Sequence, residues 1–305
     1  RSKKVTFLDN ITEIPRMTFA YCDSLREVNF HENFRKIGEQ AFYNCWALEH
    51  LDLPQSIQEY DHGALSWTGL KSIALPDGLT TLPDGLLSYN GQLEDVYIPQ
   101  SVTVFGDGVF GNCTKLKQIQ LPSGLSQIGK GVFSNCYKLE HIELPNGIRE
   151  IPDYAFSSCQ ALKHIKLPDG VRSIGSQALS NCISIESIDL PESVSELAYR
   201  ALCFNPKMTA LYCRSVTPPT CKDDAFDACK FEECTVYVPI NTKSAYKTSP
   251  GYRLFSNIVE TDFSTDLNNP MAEREENTPI YHLNGSIIQN ARKGLYIQNG
   301  KKFLK

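Results

Sequence analysis

The sequence predicts an α/β repeat protein: a solenoid with one parallel β-sheet face, a C-terminal cap and a small β-hairpin tail. Three observations lead to this fold class. Cysteines recur every 23 residues, a short apolar alternation follows each of them, and a proline ends most of these alternations. A unit of this length is too short to bury its own apolar face, so neighbouring units must stack to form a core.

The period is set by cysteines and by apolar residues at fixed distances from them. An apolar residue precedes each cysteine by three positions and another follows by three, as Phe133 and Leu139 do around Cys136. The periodic cysteines are Cys22, Cys45, Cys113, Cys136, Cys159 and Cys182. Three further units are predicted to carry Trp67, Asn90 and Asn205 in the same slot.

We interpret the periodic cysteines as small, reduced, buried residues, because free cysteine is among the most buried residue types. Stacked repeats place equivalent side chains about 4.8 Å apart and parallel, whereas a disulfide bond and a zinc site both need converging side chains. Five more cysteines cluster near the end of the array: Cys203, Cys213, Cys221, Cys229 and Cys234. A disulfide bond among the last three is an open alternative in an exported protein.

Within each unit, the alternation predicts a short strand that ends at proline, because proline has no N–H to donate. In "LEHIELP", residues 139–145, Ile142 and Leu144 are predicted to point inward while His141 and Glu143 point outward. The central outward positions are Asp95, Tyr97, Gln118, Gln120, His141 and Glu143. The series continues with His164, Lys166, Ser187, Asp189, Ala210 and Tyr212.

The unit reads L-x-x-I-x-L-P-x-x-L-x-x-I-G-x-x-A-F-x-x-C-x-x over about residues 5–213. This pattern closely resembles the BspA-type leucine-rich repeats of Bacteroides-like bacteria. The resemblance implies a leucine-rich-repeat solenoid in an exported protein, at the cell surface or outside the cell. It also implies a role in adhesion or protein binding.

The chain is predicted to have four parts. Residues 1–213 form the array, and residues 214–260 form an atypical last repeat with a C-terminal cap, which must cover the apolar end of the array. Residues 261–279 are polar and read as a linker. Residues 280–305 alternate around Asn284-Gly285 and Asn299-Gly300, which predicts a β-hairpin tail, and they resemble C-terminal sorting segments of exported proteins.

Composition and motifs exclude several functions from the prediction. The formal net charge is only -5 with both signs scattered, so neither nucleic acid nor an anionic membrane is an expected partner. No stretch approaches the roughly 20 apolar residues that span a bilayer. The sequence contains no phosphate loop, nucleophile elbow or H-E-x-x-H motif, so we predict a non-enzymatic protein without a cofactor.

The function predicted from sequence is binding of a protein, from the host matrix or the bacterial surface, on the outward strand face. Roughly ten strands would make this face about 45 to 50 Å long, enough for a standard interface. The predicted contact patch comprises Asp95, Tyr97, Gln118, Gln120, His141 and Glu143, with Tyr97 as its main contributor. A structural spacer and a glycan-binding module are the alternatives.

A speculative zinc site consists of His141, Glu143 and His164. Equivalent positions on adjacent strands would place the two imidazoles about 5 Å apart, within reach of one zinc ion. Two solvated histidines are the simpler interpretation, because a structural zinc site requires four ligands.

Overall fold

A computed structural model of the protein describes residues 3–264 with their side chains, and the backbone of residues 280–282, 287–288, 295–298 and 301–304. The chain divides into two compact units: unit 1 contains residues 1–125 and 275–305, and unit 2 contains residues 126–274. Within each unit, consecutive repeats stack through parallel strands about one repeat apart in sequence. The predicted parallel solenoid is therefore confirmed for both units.

Unit 1 contains two kinds of short strand. The strands are β1 (Lys4–Thr6), β2 (Glu13–Ile14), β3 (Glu27–Asn29), β4 (Lys36–Ile37), β5 (Glu59–Tyr60), β6 (Ser72–Ala74), β7 (Thr81–Leu82), β8 (Asp95–Tyr97) and β9 (Val104–Phe105). The three-residue strands pair as β1-β3 and β6-β8, and the two-residue strands pair as β2-β4-β5 and β7-β9. The central residue of β3, β6 and β8 is buried, as the alternation predicts.

Unit 2 continues the same design and adds the cap. Its elements are β10 (Glu150–Ile151), β11 (His164–Lys166), β12 (Ser173–Ile174), β13 (Ser187–Leu190), β14 (Glu196–Leu197), β15 (Ala210–Cys213), β16 (Thr235–Pro239), α1 (Lys243–Thr248) and β17 (Asn257–Thr261), with 3-10 helices at Asp223–Phe226 and Tyr252–Leu254. The sheets run β10-β12-β14 and β11-β13-β15-β16-β17. None of the helices among the described residues has the length and apolar character needed to cross a bilayer.

The segment predicted as a cap extends the main sheet of unit 2 by two strands, β16 and β17. Its aromatic side chains fill the end of the core. Tyr246 and Tyr252 are fully buried, with ring centroids 5.0 Å apart, and Phe226 packs edge-on against Tyr252 at 5.4 Å. The Tyr246 hydroxyl donates a hydrogen bond to the carbonyl of Ser215 at 2.7 Å, so this buried polar group is satisfied.

The described strands of the tail form a four-stranded antiparallel sheet, which has two strands more than the predicted β-hairpin. Its strands are β18 (Ile280–His282), β19 (Ile287–Ile288), β20 (Leu295–Gln298) and β21 (Lys301–Leu304), in the order β19-β18-β20-β21. The Asn284-Gly285 and Asn299-Gly300 dipeptides and residues 265–279 of the predicted linker lie outside the described residues. Strand β17 ends at Thr261 and so includes the first residue of that predicted linker.

In each turn the residue directly before the cysteine slot has a left-handed backbone, and in most turns so does the residue four positions earlier. The residues directly before the slot are Tyr21, Asn44, Trp67, Tyr89, Asn112, Asn135, Ser158, Asn181, Phe204 and Ala228. The amides of seven of them donate to carbonyls one repeat ahead, for example from Tyr21 to Tyr43 at 2.8 Å and from Ser158 to Ser180 at 2.8 Å. Asparagine is frequent here because it tolerates this conformation better than most side chains.

The cysteine slot follows this left-handed residue, and a cysteine or asparagine in the slot links the turn to the preceding repeat. The Cys45 thiol donates to the Phe19 carbonyl at 3.0 Å, and the Cys182 thiol donates to the Phe156 carbonyl at 3.2 Å. Where asparagine replaces cysteine the same bond remains, from Asn205 Nδ2 to the Leu179 carbonyl at 2.9 Å. The slot therefore requires a buried hydrogen-bond donor as well as a small side chain.

The assignment of Trp67 to the cysteine slot is wrong. Trp67 is the left-handed residue (φ 56°), and the fully buried Thr68 occupies the slot, where its hydroxyl donates to Asn90 Oδ1 at 2.9 Å. In the other regular repeats an apolar residue follows the slot by three positions, but here Leu70 follows Thr68 by only two. Counting three positions back from Leu70 therefore gives Trp67 instead of Thr68.

No disulfide bond forms among the eleven cysteines, all of which lie between residues 3 and 264. Five of the six periodic cysteines are buried as predicted, and Cys22 is half-buried. Cys22 belongs to the first repeat, which has no earlier repeat to cover it in the described part of the chain. Burial raises the pKa of Cys45, Cys113 and Cys182 to about 12.

In eight consecutive repeats a charged residue directly precedes the first outward position, and its sign alternates from one repeat to the next. We name these residues the charge row. It contains Arg26, Glu49, Lys71, Glu94 and Lys117 in unit 1, and Glu140, Lys163 and Glu186 in unit 2. Lys71 Nζ lies 2.5 Å from Glu49 Oε2, and this hydrogen bond lowers the pKa of the Glu49 carboxyl. Opposite charges on adjacent repeats favour the observed register.

Asn205 gives the first testable prediction. Asn205→Ala removes the acceptor of the Cys182 amide (3.0 Å) and the donor to Leu179, and we expect it to lower the free energy of unfolding by roughly 2 to 3 kcal/mol. Asn205→Cys restores a thiol donor and should cost less than half as much. Urea denaturation followed by circular dichroism measures both values, and equal losses would contradict a donor role for the slot.

Thiol accessibility gives the second prediction. In the folded protein at pH 8 we expect a thiol reagent to label the half-buried Cys22 first, ahead of the equally half-buried Cys221, whose pKa burial raises to about 12, and to leave the buried Cys45, Cys113, Cys136, Cys159 and Cys182 unlabelled. Denaturant should expose all eleven. Peptide mapping after timed labelling measures the order, and rapid modification of the five in the folded state would contradict their burial.

Candidate functional site

Two residues of the predicted patch lie on strand β8 of unit 1. Parallel pairing with β6 places Asp95 beside Ser72 and Tyr97 beside Ala74. Both Asp95 and Tyr97 are half-buried, and the Tyr97 hydroxyl donates a hydrogen bond to the Asp77 carboxylate at 3.0 Å. Burial, together with this contact, raises the pKa of Tyr97 to about 12, so the hydroxyl keeps its proton and its bond to Asp77 well above neutral pH.

Burial also raises the pKa of Asp95, and the neighbouring Glu94 carboxylate raises it further. Gln118 and Gln120 follow β9 in the same unit, outside its named strands, and both are half-buried. The intervening Ile119 is buried, so the inward and outward alternation holds there as well. These four outward residues of unit 1 therefore offer amide, hydroxyl and carboxyl groups to a partner.

The other two residues of the predicted patch belong to unit 2. His141 and Glu143 are highly exposed, with 65% and 85% of their side chains accessible, and His141 Nε2 lies 3.3 Å from Glu143 Oε1. His164, on β11, turns toward different partners. Its Nδ1 lies 3.0 Å from Ser187 Oγ, and its Nε2 lies 3.8 Å from Glu186 Oε2.

The speculative zinc site receives no support from this arrangement. Among residues 3–264, no three histidine, cysteine, aspartate or glutamate side chains gather closely enough to hold a metal ion. His141 pairs with its own strand neighbour Glu143, whereas His164 contacts residues of the following repeat.

A stacked tyrosine pair lies on the main sheet of unit 2 and is not part of the predicted patch. Strand pairing aligns Tyr212 on β15 with Tyr237 on β16, and their rings stack at 4.8 Å with an interplanar angle of 11°. The sequence indicates Tyr212 as an outward residue. Tyr237 was missed because it lies 25 residues later, outside the 23-residue period, although the alternation in "TVYVP" could have revealed it.

The prediction that Ser187 and Asp189 are exposed on the outward face is wrong, because both residues are buried. Arg214 covers Asp189 with two hydrogen bonds of 2.7 Å, and the Phe263 ring lies 5.0 Å from the guanidinium carbon. A bidentate arginine satisfies both carboxylate oxygens, which allows this charge to be buried. The covering residues lie beyond the regular repeats, so the period gave no sign of them.

A family model described as the BspA type leucine rich repeat region matches six copies over residues 1–114 and 88–210. The chain belongs to this family. Its repeats therefore are BspA-type leucine-rich repeats, as the resemblance in the sequence indicates.

Solved bacterial structures are similar to this chain. The pneumococcal vaccine antigen PcpA is 24% identical, over 85% of this chain and 68% of that chain, with a TM-score of 0.62. A leucine-rich cell surface protein from Faecalibacterium prausnitzii is 25% identical over 82% of each chain, with a TM-score of 0.48. A leucine-rich repeat protein from Bacteroides ovatus is 22% identical, over 85% of this chain and 84% of that chain, with a TM-score of 0.40. The likeness to PcpA supports the fold. No protein in a search of curated proteins matches the chain.

The Asp189–Arg214 pair gives the third prediction. Arg214→Ala should lower the free energy of unfolding by about 2 to 3 kcal/mol, because it leaves a buried carboxylate uncompensated. Arg214→Lys should recover only part of this loss, since lysine lacks the bidentate geometry. Lys230→Ala, which removes an exposed ion pair with Glu233 in the same unit, is the control and should leave the denaturation midpoint unchanged. Equal midpoints for Arg214→Ala and the control would contradict this account.

Proposed function

We propose that this protein is a non-enzymatic, exported binding module whose outward strand face binds a protein partner. The supporting observation is the register that aligns outward side chains on adjacent strands, such as Tyr212 with Tyr237 in unit 2. Membership of the BspA-type repeat family is consistent with this role. The location, at the cell surface or outside the cell, is part of the proposal and follows from the resemblance to BspA-type proteins.

The outward face suits protein recognition because its side chains stand on a backbone that parallel pairing already holds in place. Ordering such a surface on binding costs little conformational entropy. Tyrosine is enriched among the residues that dominate protein interfaces. Tyr97 in unit 1 and the Tyr212–Tyr237 pair in unit 2 are therefore the expected main contributors.

The proposed contact residues keep the predicted patch. Asp95, Tyr97, Gln118 and Gln120 contribute in unit 1, and His141 and Glu143 contribute in unit 2. Tyr97 is half-buried and bonded to Asp77, so Tyr97→Ala removes packing as well as a contact surface. Tyr97→Phe keeps the ring and removes only the hydroxyl, which separates the two contributions.

The fourth prediction concerns Tyr97. The immobilised protein is incubated with host extracellular-matrix extract and with bacterial surface extract, and a captured protein is identified and purified. We expect Tyr97→Ala to weaken its binding about 30-fold, which corresponds to about 2 kcal/mol for a dominant contact residue. Titration calorimetry measures the affinity, and a thermal melt of each variant verifies its fold.

The control variant is Tyr137→Ala, which removes an exposed tyrosine from a turn. If Tyr97→Ala, Tyr212→Ala and Tyr237→Ala all bind the partner with the affinity of the parent protein, the outward face is excluded as the binding surface. Capture of an oligosaccharide with no captured protein would favour the glycan-binding alternative. Failure to capture any ligand from either extract would favour a structural spacer.

A further inference from the structure

Five aromatic side chains cluster in the turns of four consecutive repeats of unit 1, away from the main strands. We name this cluster, Tyr21, Tyr43, Trp46, Trp67 and Tyr89, the aromatic corner. Tyr21, Trp46 and Tyr89 are 52%, 47% and 43% exposed, and the other two are half-buried. Exposed aromatic groups gathered on a soluble surface commonly mark an interaction site.

The rings contact one another along the stack of turns. Trp67 stacks on Tyr89 with centroids 4.4 Å apart and an interplanar angle of 14°. Trp46 meets Trp67 edge to face at 5.4 Å and 89°, and Tyr21 meets Tyr43 in the same way at 5.4 Å and 77°. An edge-to-face contact covers a face of only one of its two rings, so ring faces remain for a ligand.

The aromatic residues occupy backbone positions that do not favour them. Tyr21, Trp67 and Tyr89 have left-handed φ values of 60°, 56° and 60°, at the position that carries asparagine in several other repeats. A bulky side chain is uncommon in this conformation, and at least two of these rings are too exposed to be explained by core packing. An unfavourable residue that core packing does not require is a reason to look for a binding role.

The charge around the aromatic corner suits a cationic ligand. Residues 1–125 contain ten lysines and arginines against fifteen aspartates and glutamates, whereas residues 126–305 contain twenty of each, so the whole net charge of -5 belongs to the first segment. The turn segments 17–23, 40–46, 63–69 and 85–91 contain no lysine or arginine, and the exposed Asp23 lies beside the first ring position. The ligand therefore has to supply the cation.

We propose that the aromatic corner binds a basic polypeptide segment, with arginine side chains packed against the Trp46 and Trp67 rings. Tryptophan is the aromatic residue that attracts cations most strongly, and the planar guanidinium group also stacks on rings. A neutral sugar chain is the less favoured occupant, because rings inclined at 77° and 89° to one another do not form one flat stacking platform. This proposal concerns the turns and does not depend on the function proposed for the outward strand face.

Intrinsic fluorescence isolates this surface, because Trp46 and Trp67 are the two tryptophans of the sequence. The probe is a synthetic peptide of alternating glycine and arginine, titrated into the full chain, with a glycine and glutamate peptide as the charge-reversed comparison. We expect saturable quenching by the arginine peptide alone. Trp46→Ala, in which Trp67 still reports, should weaken binding about two- to fivefold, as removal of one exposed cation–π contact predicts.

The matched control is Tyr137→Ala, since Tyr137 directly follows Cys136 as Trp46 follows Cys45, and its exposure is similar at 42%. It should bind the arginine peptide as the parent does, and Trp46→Phe should recover most of the affinity lost in Trp46→Ala. Tyr21→Ala, at the most exposed ring, tests the same surface independently if Trp46→Ala is unstable. Equal binding by the parent, Trp46→Ala and Tyr21→Ala would reduce the effect to general attraction by acidic groups and overturn the proposal. A response to maltohexaose with none to the arginine peptide, or no response to either, would also overturn it.

Discussion

Each repeat leaves polar groups in its turn that only a neighbouring repeat can satisfy. In most turns the amide of the left-handed residue before the slot donates to the repeat ahead, and a cysteine or asparagine in the slot donates to the repeat behind, as Cys182 does to Phe156. An unsatisfied polar group in this buried setting costs about as much as a hydrogen bond contributes elsewhere, or more. The turns therefore hold the repeats in one register, and this register aligns both the outward strand face and the aromatic corner.

Much of this architecture can be predicted from the sequence, because the 23-residue period locates the strand ends, the inward residues and the turns. Proline marks the end of most main strand segments, the alternation before it identifies inward residues such as Ile142, and the cysteine marks the turn. The outward position of Asp95 and Tyr97 follows from the same alternation. The interpretation of cysteine as a packing residue was incomplete, however, because Asn205 shows that the slot also donates a hydrogen bond.

The sequence could not reveal features that depend on residues outside the period or on a shift within it. Thr68 was missed because a one-residue deletion moves its repeat out of step. The burial of Asp189 depends on Arg214 and Phe263, which lie where the regular pattern has ended. The aromatic corner was overlooked because left-handed positions have no apolar signature, and only the backbone angles show that Tyr21 and Trp67 occupy equivalent places.

The charge row restricts how the array can change in length. Its signs alternate from Arg26 through Glu49, Lys71 and Glu94 to Lys117 in unit 1, and again from Glu140 to Lys163 to Glu186 in unit 2. Loss or duplication of a single repeat would place like charges on adjacent turns, whereas loss or duplication of a pair would preserve the alternation. Like charges that face each other are unfavourable. Gain or loss of two successive repeats should therefore destabilise the array less than gain or loss of one. We expect arrays of this kind to change in length by pairs of repeats.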